Sequence, residues 1–129
     1  MYLSVCIPTY NFEKYIKNCI KSITYQNVNI QDFEIVIGDS STNNKTFEII
    51  KKFKKNNNNI VYKRFKEKKG IDIDLEKTSR MCKGKYILFL WSDDVLIKGA
   101  LDKIINFTKS NKEVYLFNRI ICDKKLKIK

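Results

Sequence analysis

Two adjacent aspartates, Asp93 and Asp94, stand one serine beyond the apolar run "KYILFLW" of residues 85–91, and a third, Asp39, follows "FEIVIG" of residues 33–38. The chain has no histidine. Ser-His-Asp and Cys-His catalysis and the usual zinc sites are thereby excluded, and acid, base or metal chemistry falls to carboxylates. Two neighbouring carboxylates in a partly desolvated crevice repel each other, and a divalent cation between them and a ligand relieves that repulsion. Oxygen ligands of this kind suit Mg2+ or Mn2+, which bind through one or two carboxylates and complete their shell with water and substrate phosphates. The plainer alternatives are that Asp93 or Asp94 caps the following helix and that Asp39 forms an Asx turn or a cap. Three acids at one sheet edge of a basic protein favour the ligand-binding reading.

These acids are placed by alternating strands and helices. "YLSVCI" (2–7) is apolar and β-favouring and stops at Pro8, and in "FEKYIKNCIKSITYQ" the residues Phe12, Tyr15, Ile16, Cys19, Ile20 and Ile23 repeat with one-faced helical spacing. "FEIVIG" is a second buried strand, Ser41 or Thr42 can cap the next helix, and "KTFEIIKKFKK" sets Phe47, Ile50 and Phe53 on one face. A polar break at Asn56–Asn59 leads to the half-polar strand "IVYKRF"; Gly70 opens a weaker helix, "IDIDLEKTSRMCKG". The strand "KYILFLW", a helix "GALDKIINFTKS" and a fifth strand "EVYLFNRI" (113–120) complete the series. Strands that are apolar throughout imply an α/β fold with a mostly parallel sheet buried on both faces by helices. Ligands of such sheets bind at the carboxyl ends of the strands, where strand order reverses. That rule singles out Thr9, Tyr10 and Asn11, then Asp39 to Thr42, then Ser92 to Asp94, all expected on one edge.

A length of 129 residues is that of one domain with its own core. The net charge of +12 favours anionic partners. Its lysines lie on helix faces (Lys51, Lys52, Lys54, Lys55) and in the tail (Lys124, Lys125, Lys127, Lys129), so a solvated surface or peripheral contact with an anionic membrane both fit. Nucleic acid is disfavoured, because acids at strand ends have the wrong sign for phosphates unless a metal intervenes. Cys6, Cys19, Cys82 and Cys122 are widely spaced, form no CxxC pair and read as small core residues of a reducing compartment. No apolar run reaches membrane-spanning length, so a cytoplasmic protein is expected, with the inner face of the membrane as a working place. Neither GxGxxG nor GxxxxGK[ST] occurs, which argues against a dinucleotide or P-loop site.

Taken in order, "SVCIPTYN", "DFEIVIGDSSTNN" and "KGIDIDLEKTSRMCKGKYILFLWSDD" resemble the nucleotide-binding half of family 2 inverting glycosyltransferases with the GT-A fold. The resemblance implies a Rossmann-like three-layer sandwich over residues 1–120; residues 121–129 read as a basic tail. It implies that Pro8, Thr9 and Tyr10 line the nucleotide pocket, that Asp39 contacts the base, often uracil, that Asp93 meets the ribose, and that Asp94 holds Mn2+ or Mg2+. The donor implied is a nucleotide-diphosphate sugar, and the acceptor a glycan or a lipid-linked glycan of the cell surface.

Three departures bear on these expectations. The usual "DDGSTD" reads "GDSSTNN", with Gly38 in place of an acid, and the usual "DSDD" or "DADD" reads "WSDD", with Trp91 in place of the first acid. The acceptor-binding half that carries the general base in the family has no counterpart after Asp94, where only Asp102, Glu113 and Asp123 follow. Donor binding is therefore expected to survive in a truncated form and transfer to be weak. The competing classes are a non-catalytic nucleotide-binding or interaction module and, less favoured, a nucleic-acid-binding protein.

Overall fold

Leu3–Thr9 (β1) and Phe33–Asp39 (β2) are buried along their whole lengths and form the centre of a four-stranded parallel sheet with the order β3-β2-β1-β4. The computed structural model describes residues 1–66 and 68–128; Glu67, and Lys129 at the end of the expected basic tail, lie outside the described residues. β3 is Ile60–Arg64 and β4 is Tyr86–Phe89. The helices that connect and follow them are Ile16–Thr24 (α1), Lys45–Lys54 (α2), Ile71–Ser79 (α3) and Ala100–Thr108 (α4). Parallel neighbours require crossovers, and each helix from α1 to α3 supplies one.

The two faces of the central strands divide the core. Leu3, Val5 and Ile7 of β1 with Phe33, Ile35 and Ile37 of β2 join Ile16, Cys19, Ile20 and Ile23 of α1, Ile50 of α2, and Leu101, Ile104 and Ile105 of α4 in one buried cluster. Burial of each such side chain contributes about 1.5–3 kcal/mol, which is why the one-faced spacing of α1 is realised despite its polar other side. The opposite face is covered by α3, which packs on β1 and β2 and leaves both edge strands half open. Gly38 allows that approach, since a Cβ there would land on Thr78 Oγ1 and lie 2.8 Å from the Phe65 ring.

Continuous burial on both faces thus holds for β1 and β2 but not for the edges. In β4, Ile87 and Phe89 are exposed on the α3 side while Tyr86 and Leu88 face the core cluster. The expected fifth strand at 113–120 does not form: among the described residues it makes no ladder, and Leu116 is 94% exposed. Strand formation needs a neighbour's backbone, and this segment reaches the domain through side chains instead. Tyr115 packs edge-on to Tyr86, and Phe117 lies against Phe107.

A polar latch sits at the amino-terminal side of the sheet. Glu34 Oε1 accepts hydrogen bonds from Ser4 Oγ and from the Lys83 amide, both at 2.6 Å, and Ser4 Oγ accepts the Gly84 amide at 2.8 Å. Gly84 is required by closeness, because a Cβ would come within 2.6 Å of the Leu3 carbonyl carbon. Among the described residues no helix is long and apolar enough to cross a membrane.

Candidate functional site

Because every strand pair is parallel, Thr9, Asp39 and the turn after β4 stand on one edge of the sheet, and strand order reverses at β1, between β2 on one side and β4 on the other. A crevice at such a reversal is the ligand position of open α/β sheets. Pro8 is buried opposite Gly38 in the β1–β2 register, and the Thr9 carbonyl accepts the Ser40 amide at 3.0 Å. Thr9 is itself buried, and its hydroxyl oxygen has no protein partner among the described residues. A buried, unpaired hydroxyl is costly, so Thr9 Oγ1 presents an unmet hydrogen-bonding group at the crevice. Tyr10 follows half-buried, with Lys68 Nζ 3.9 Å from its ring centroid, a close cation–π contact.

Asn11 joins the loops after β1 and β2. Its backbone takes a left-handed φ of 54°, a conformation Asn tolerates better than most residues. The Asn11 amide donates to Ser41 Oγ at 2.8 Å, its Nδ2 donates to Thr42 Oγ1 at 3.1 Å, and its Oδ1 accepts the Thr42 amide at 3.0 Å. Ser41 and Thr42, expected as helix caps, are used here instead; α2 starts at Lys45 with Asn44 at its cap position and no side-chain cap bond. Asn11→Ala removes the side-chain bonds and strains the backbone, while Asn11→Gly removes the bonds alone. The alanine variant is expected to lose about 1–3 kcal/mol and to melt below the glycine variant in thermal denaturation; equal melting points would remove the backbone-strain component.

Asp39 is fully buried. Its Oδ1 accepts the Ser41 amide at 2.9 Å, the Asx turn foreseen as the plainer alternative, and its Oδ2 accepts the Tyr62 hydroxyl at 2.8 Å. Burial, and then the Asp39 hydrogen bond, push the Tyr62 phenol above its ordinary range, so it stays a donor. A carboxylate offers about four lone-pair positions, and two of these serve Ser41 and Tyr62. Arg64, paired in register with Asp39, braces the same loop through hydrogen bonds to the Ser41 and Asn43 carbonyls at 2.6 and 2.8 Å.

The acidic pair occupies a turn in which the Asp94 amide donates to the Trp91 carbonyl at 3.0 Å; Ser92 is buried, and Asp93 and Asp94 are exposed. The capping alternative for these acids falls away, since α4 begins only at Ala100, with Gly99 at its cap position. Partial desolvation, and then the charge of Asp93, raise the Asp94 carboxyl above the ordinary range, with Arg119 acting in the opposite direction. Cys19 beneath the turn donates to the Trp91 carbonyl at 3.6 Å and is pushed up to about 12 by burial and then by Asp94 and Asp93, so it remains a neutral thiol.

The three acids share an edge without forming a common ligand set: among the described residues no group of three His, Cys, Asp or Glu side chains converges to hold a metal. The adjacent acids of the turn, Asp93 and Asp94, form an all-oxygen group that is exposed to water and mutually repelling. That set fits Mg2+ or Mn2+, ions that use one or two carboxylates and take their remaining oxygens from water and phosphate. Three contributors had no assigned role in the sequence reading. Tyr62 lies in the middle of the half-polar strand β3, Lys68 is one lysine among many, and Arg119 approaches Asp94 because the segment after α4 turns back toward β4. Asn next to a turn was the one available local signal, at Asn11.

Residues 4–128 match the model of glycosyl transferase family 2. The chain is 33% identical over 112 residues to the poly(ribitol-phosphate) beta-glucosyltransferase of Bacillus spizizenii, covering 86% of this chain and 18% of the relative. It is 32% identical over 120 residues to the abequosyltransferase RfbV of Salmonella typhimurium, covering 92% and 36%. The crystal structure of Staphylococcus aureus TarS 1-349 in complex with UDP-GlcNAc superposes with a TM-score of 0.77 at 30% identity, over 85% of this chain and 32% of that one. The chain thus spans well under half the length of these proteins.

Proposed function

The chain belongs to glycosyl transferase family 2, and from that premise we propose that its strand-end crevice binds a UDP-sugar donor with a divalent metal. The observation that carries this reading is the exposed Asp93–Asp94 pair at the strand-order reversal, beside the unpaired Thr9 hydroxyl. Pro8, Thr9 and Tyr10 form the floor and wall for the nucleotide, Asp93 takes the ribose hydroxyls, and Asp94 holds Mn2+ or Mg2+. Asp39, with two lone-pair positions beyond those used by Ser41 and Tyr62, is the acceptor proposed for a base N–H. The sugar-nucleotide complex of TarS supports the choice of donor class. When bound, the cation neutralises the diphosphate as it departs; Arg119, close enough to Asp94 to influence its titration, adds a second positive charge there.

The acceptor class follows from the relatives. Poly(ribitol-phosphate) is the acceptor named for the Bacillus spizizenii and Staphylococcus aureus enzymes, and a phosphate-bearing glycan or polyol polymer, free or lipid-linked, suits a domain of +12 charge. The setting proposed is the cytoplasmic face of an anionic membrane. Within these 129 residues the later acids favour binding over transfer: Asp102 accepts from Asn106 on α4, and Asp123 accepts the Lys125 and Lys127 amides. A second reading, a donor-binding module without turnover, rests on those contacts. Calorimetric titration of UDP with and without manganese tests the donor site, with binding expected only, or at least about tenfold more tightly, with the metal. Metal-independent binding overturns the cation assignment, and release of UDP from UDP-GlcNAc by this chain overturns the binding-only reading.

A further inference from the structure

A second concave surface lies on the flank of the sheet away from the acidic turn. Since Lys63 pairs in register with Gly38, it faces the α3 side, where α3 leaves the edge strand β3 uncovered. The resulting open groove, of about 620 Å³, runs between the end of β3 and α3. Its charged lining among the described residues is Lys63, Arg64, Lys66, Lys69, Lys77 and Arg80, all of them basic. Arg64, Lys69 and Arg80 are engaged nearby: Arg64 turns to the loop after β2, Arg80 pairs with Glu76 at 2.7 Å, and Lys69 has a partner of its own. Lys63 and Lys66 face no carboxylate partner among the described residues.

The apolar lining narrows the class of anion. Phe65 is only 9% exposed, and Lys77 Nζ lies 5.2 Å from its ring centroid. Nucleic-acid grooves that bind single strands combine positive charge with exposed rings on which bases stack, and this groove offers charge without such a ring. A flat bilayer is poorly matched to a concave cleft between a strand and a helix. A chain of phosphodiesters without bases meets both conditions, since it needs only spaced cations and can enter the cleft.

We propose that the groove between β3 and α3 is a docking track for the phosphates of a polyol-phosphate polymer, distinct from the donor crevice. The identity of the polymer rests on the acceptor class proposed above; the groove itself rests on Lys63, Lys66, Lys77 and Arg80. The track would hold several phosphates of the acceptor while one of its hydroxyls lies at the donor.

The test is direct binding of a fluorescent ribitol-phosphate oligomer of about eight units to the full chain across a salt series, read by anisotropy. The triple variant Lys63→Gln/Lys66→Gln/Lys77→Gln is expected to bind at least about tenfold more weakly. Its log–log salt slope should be shallower by about two, near the 0.7 per phosphate contact of flexible strands. Lys124→Gln/Lys125→Gln/Lys127→Gln, with the same loss of charge, should bind nearly as the parent does. Equal weakening in both triples overturns the track in favour of diffuse charge, and no binding of the oligomer at low salt overturns it outright. If single-stranded DNA of equal charge, or vesicles with anionic lipid, bind more tightly with the same dependence on the groove lysines, the occupant is a nucleic acid or a membrane and the proposal fails. UDP titration of the same variants separates the two sites. An unchanged UDP affinity is expected in the groove triple, and a failure of UDP to bind the parent would sink the donor reading while leaving the oligomer result intact.

Discussion

Asp94→Asn is expected to raise the dissociation constant of UDP in manganese by more than about 100-fold while leaving the fold in place. Loss of partners that merely orient metal ligands costs 10–100-fold in affinity, and Asp94 is assigned the ligand position itself. The substitution keeps the size, replaces one acceptor oxygen with an NH2 donor and removes the charge, on an exposed turn whose backbone bond to Trp91 does not involve the side chain. Two further readouts have definite signs. The Asp94 carboxyl is raised by desolvation and by Asp93, and the cation needs it ionised, so metal-supported UDP binding should weaken as pH falls through the mildly acidic range, earlier than for an ordinary aspartate. A folded-state carboxyl raised above its unfolded value is harder to ionise in the native protein, so the ionised form lowers stability once pH passes the unfolded value. Without metal, Asp94→Asn should therefore melt slightly above the parent at neutral pH, and the difference should vanish on acidification. An Asp94→Asn protein that binds UDP and manganese like the parent would remove Asp94 from the site.

Gly38→Ala is expected to destabilise the fold through the seat of α3 on the sheet. The added methyl would fall on Thr78 Oγ1 and press on Phe65, and Thr78 is fully buried, with its hydroxyl donating to the Asp74 carbonyl at 2.6 Å. Overpacking of this kind typically costs about 1–3 kcal/mol, or several degrees in melting temperature for a domain of this size. Thr78→Ala vacates the contested space, so the double variant should recover part of the loss, a coupling that a double-mutant cycle measures. Additive effects, or a Gly38→Ala protein as stable as the parent, would mean that α3 is not seated on β2 as described. The same contact gives a physical reason for one departure from the family motif: an aspartate at position 38 would be driven into α3.

Most of the sheet was legible because burial dictates its residues. The apolar stretches that became β1 and β2 have no polar position exposed to water, and the one-faced spacing in α1 survives as Ile16, Cys19, Ile20 and Ile23 in the core. The resemblance to GT-A glycosyltransferases supplied the fold, now matched by the sheet order and by the TarS structures. Residues 113–120 misled because alternating Val114, Leu116 and Tyr115, Phe117 carry the strand period, while the ladder that would make them a strand depends on a neighbour not encoded locally. The caps misled for a similar reason. Ser41 and Thr42 have cap chemistry, but Asn11, some thirty residues earlier, competes for them and wins. Likewise, nothing in "GDSS" foretells that Tyr62 will occupy one oxygen of Asp39, because the bond joins two different strands.

The latch of Ser4, Glu34, Lys83 and Gly84 also bears on the order of events in folding. Its hydrogen bonds close chain separations of 30, 49 and 80 residues, and every ladder of an all-parallel sheet likewise waits for a crossover to be built. Long-range closures must be met entropically before they are rewarded. The β1–β2 pair, with its 30-residue separation, is accordingly the natural early partner, and the Gly84 bond that brings in β4 is the natural late one. The edge carrying the acidic turn is then the last part of the sheet to assemble and the first to come undone, so local opening would remove Asp93 and Asp94 from the crevice while the β1–β2 centre still holds.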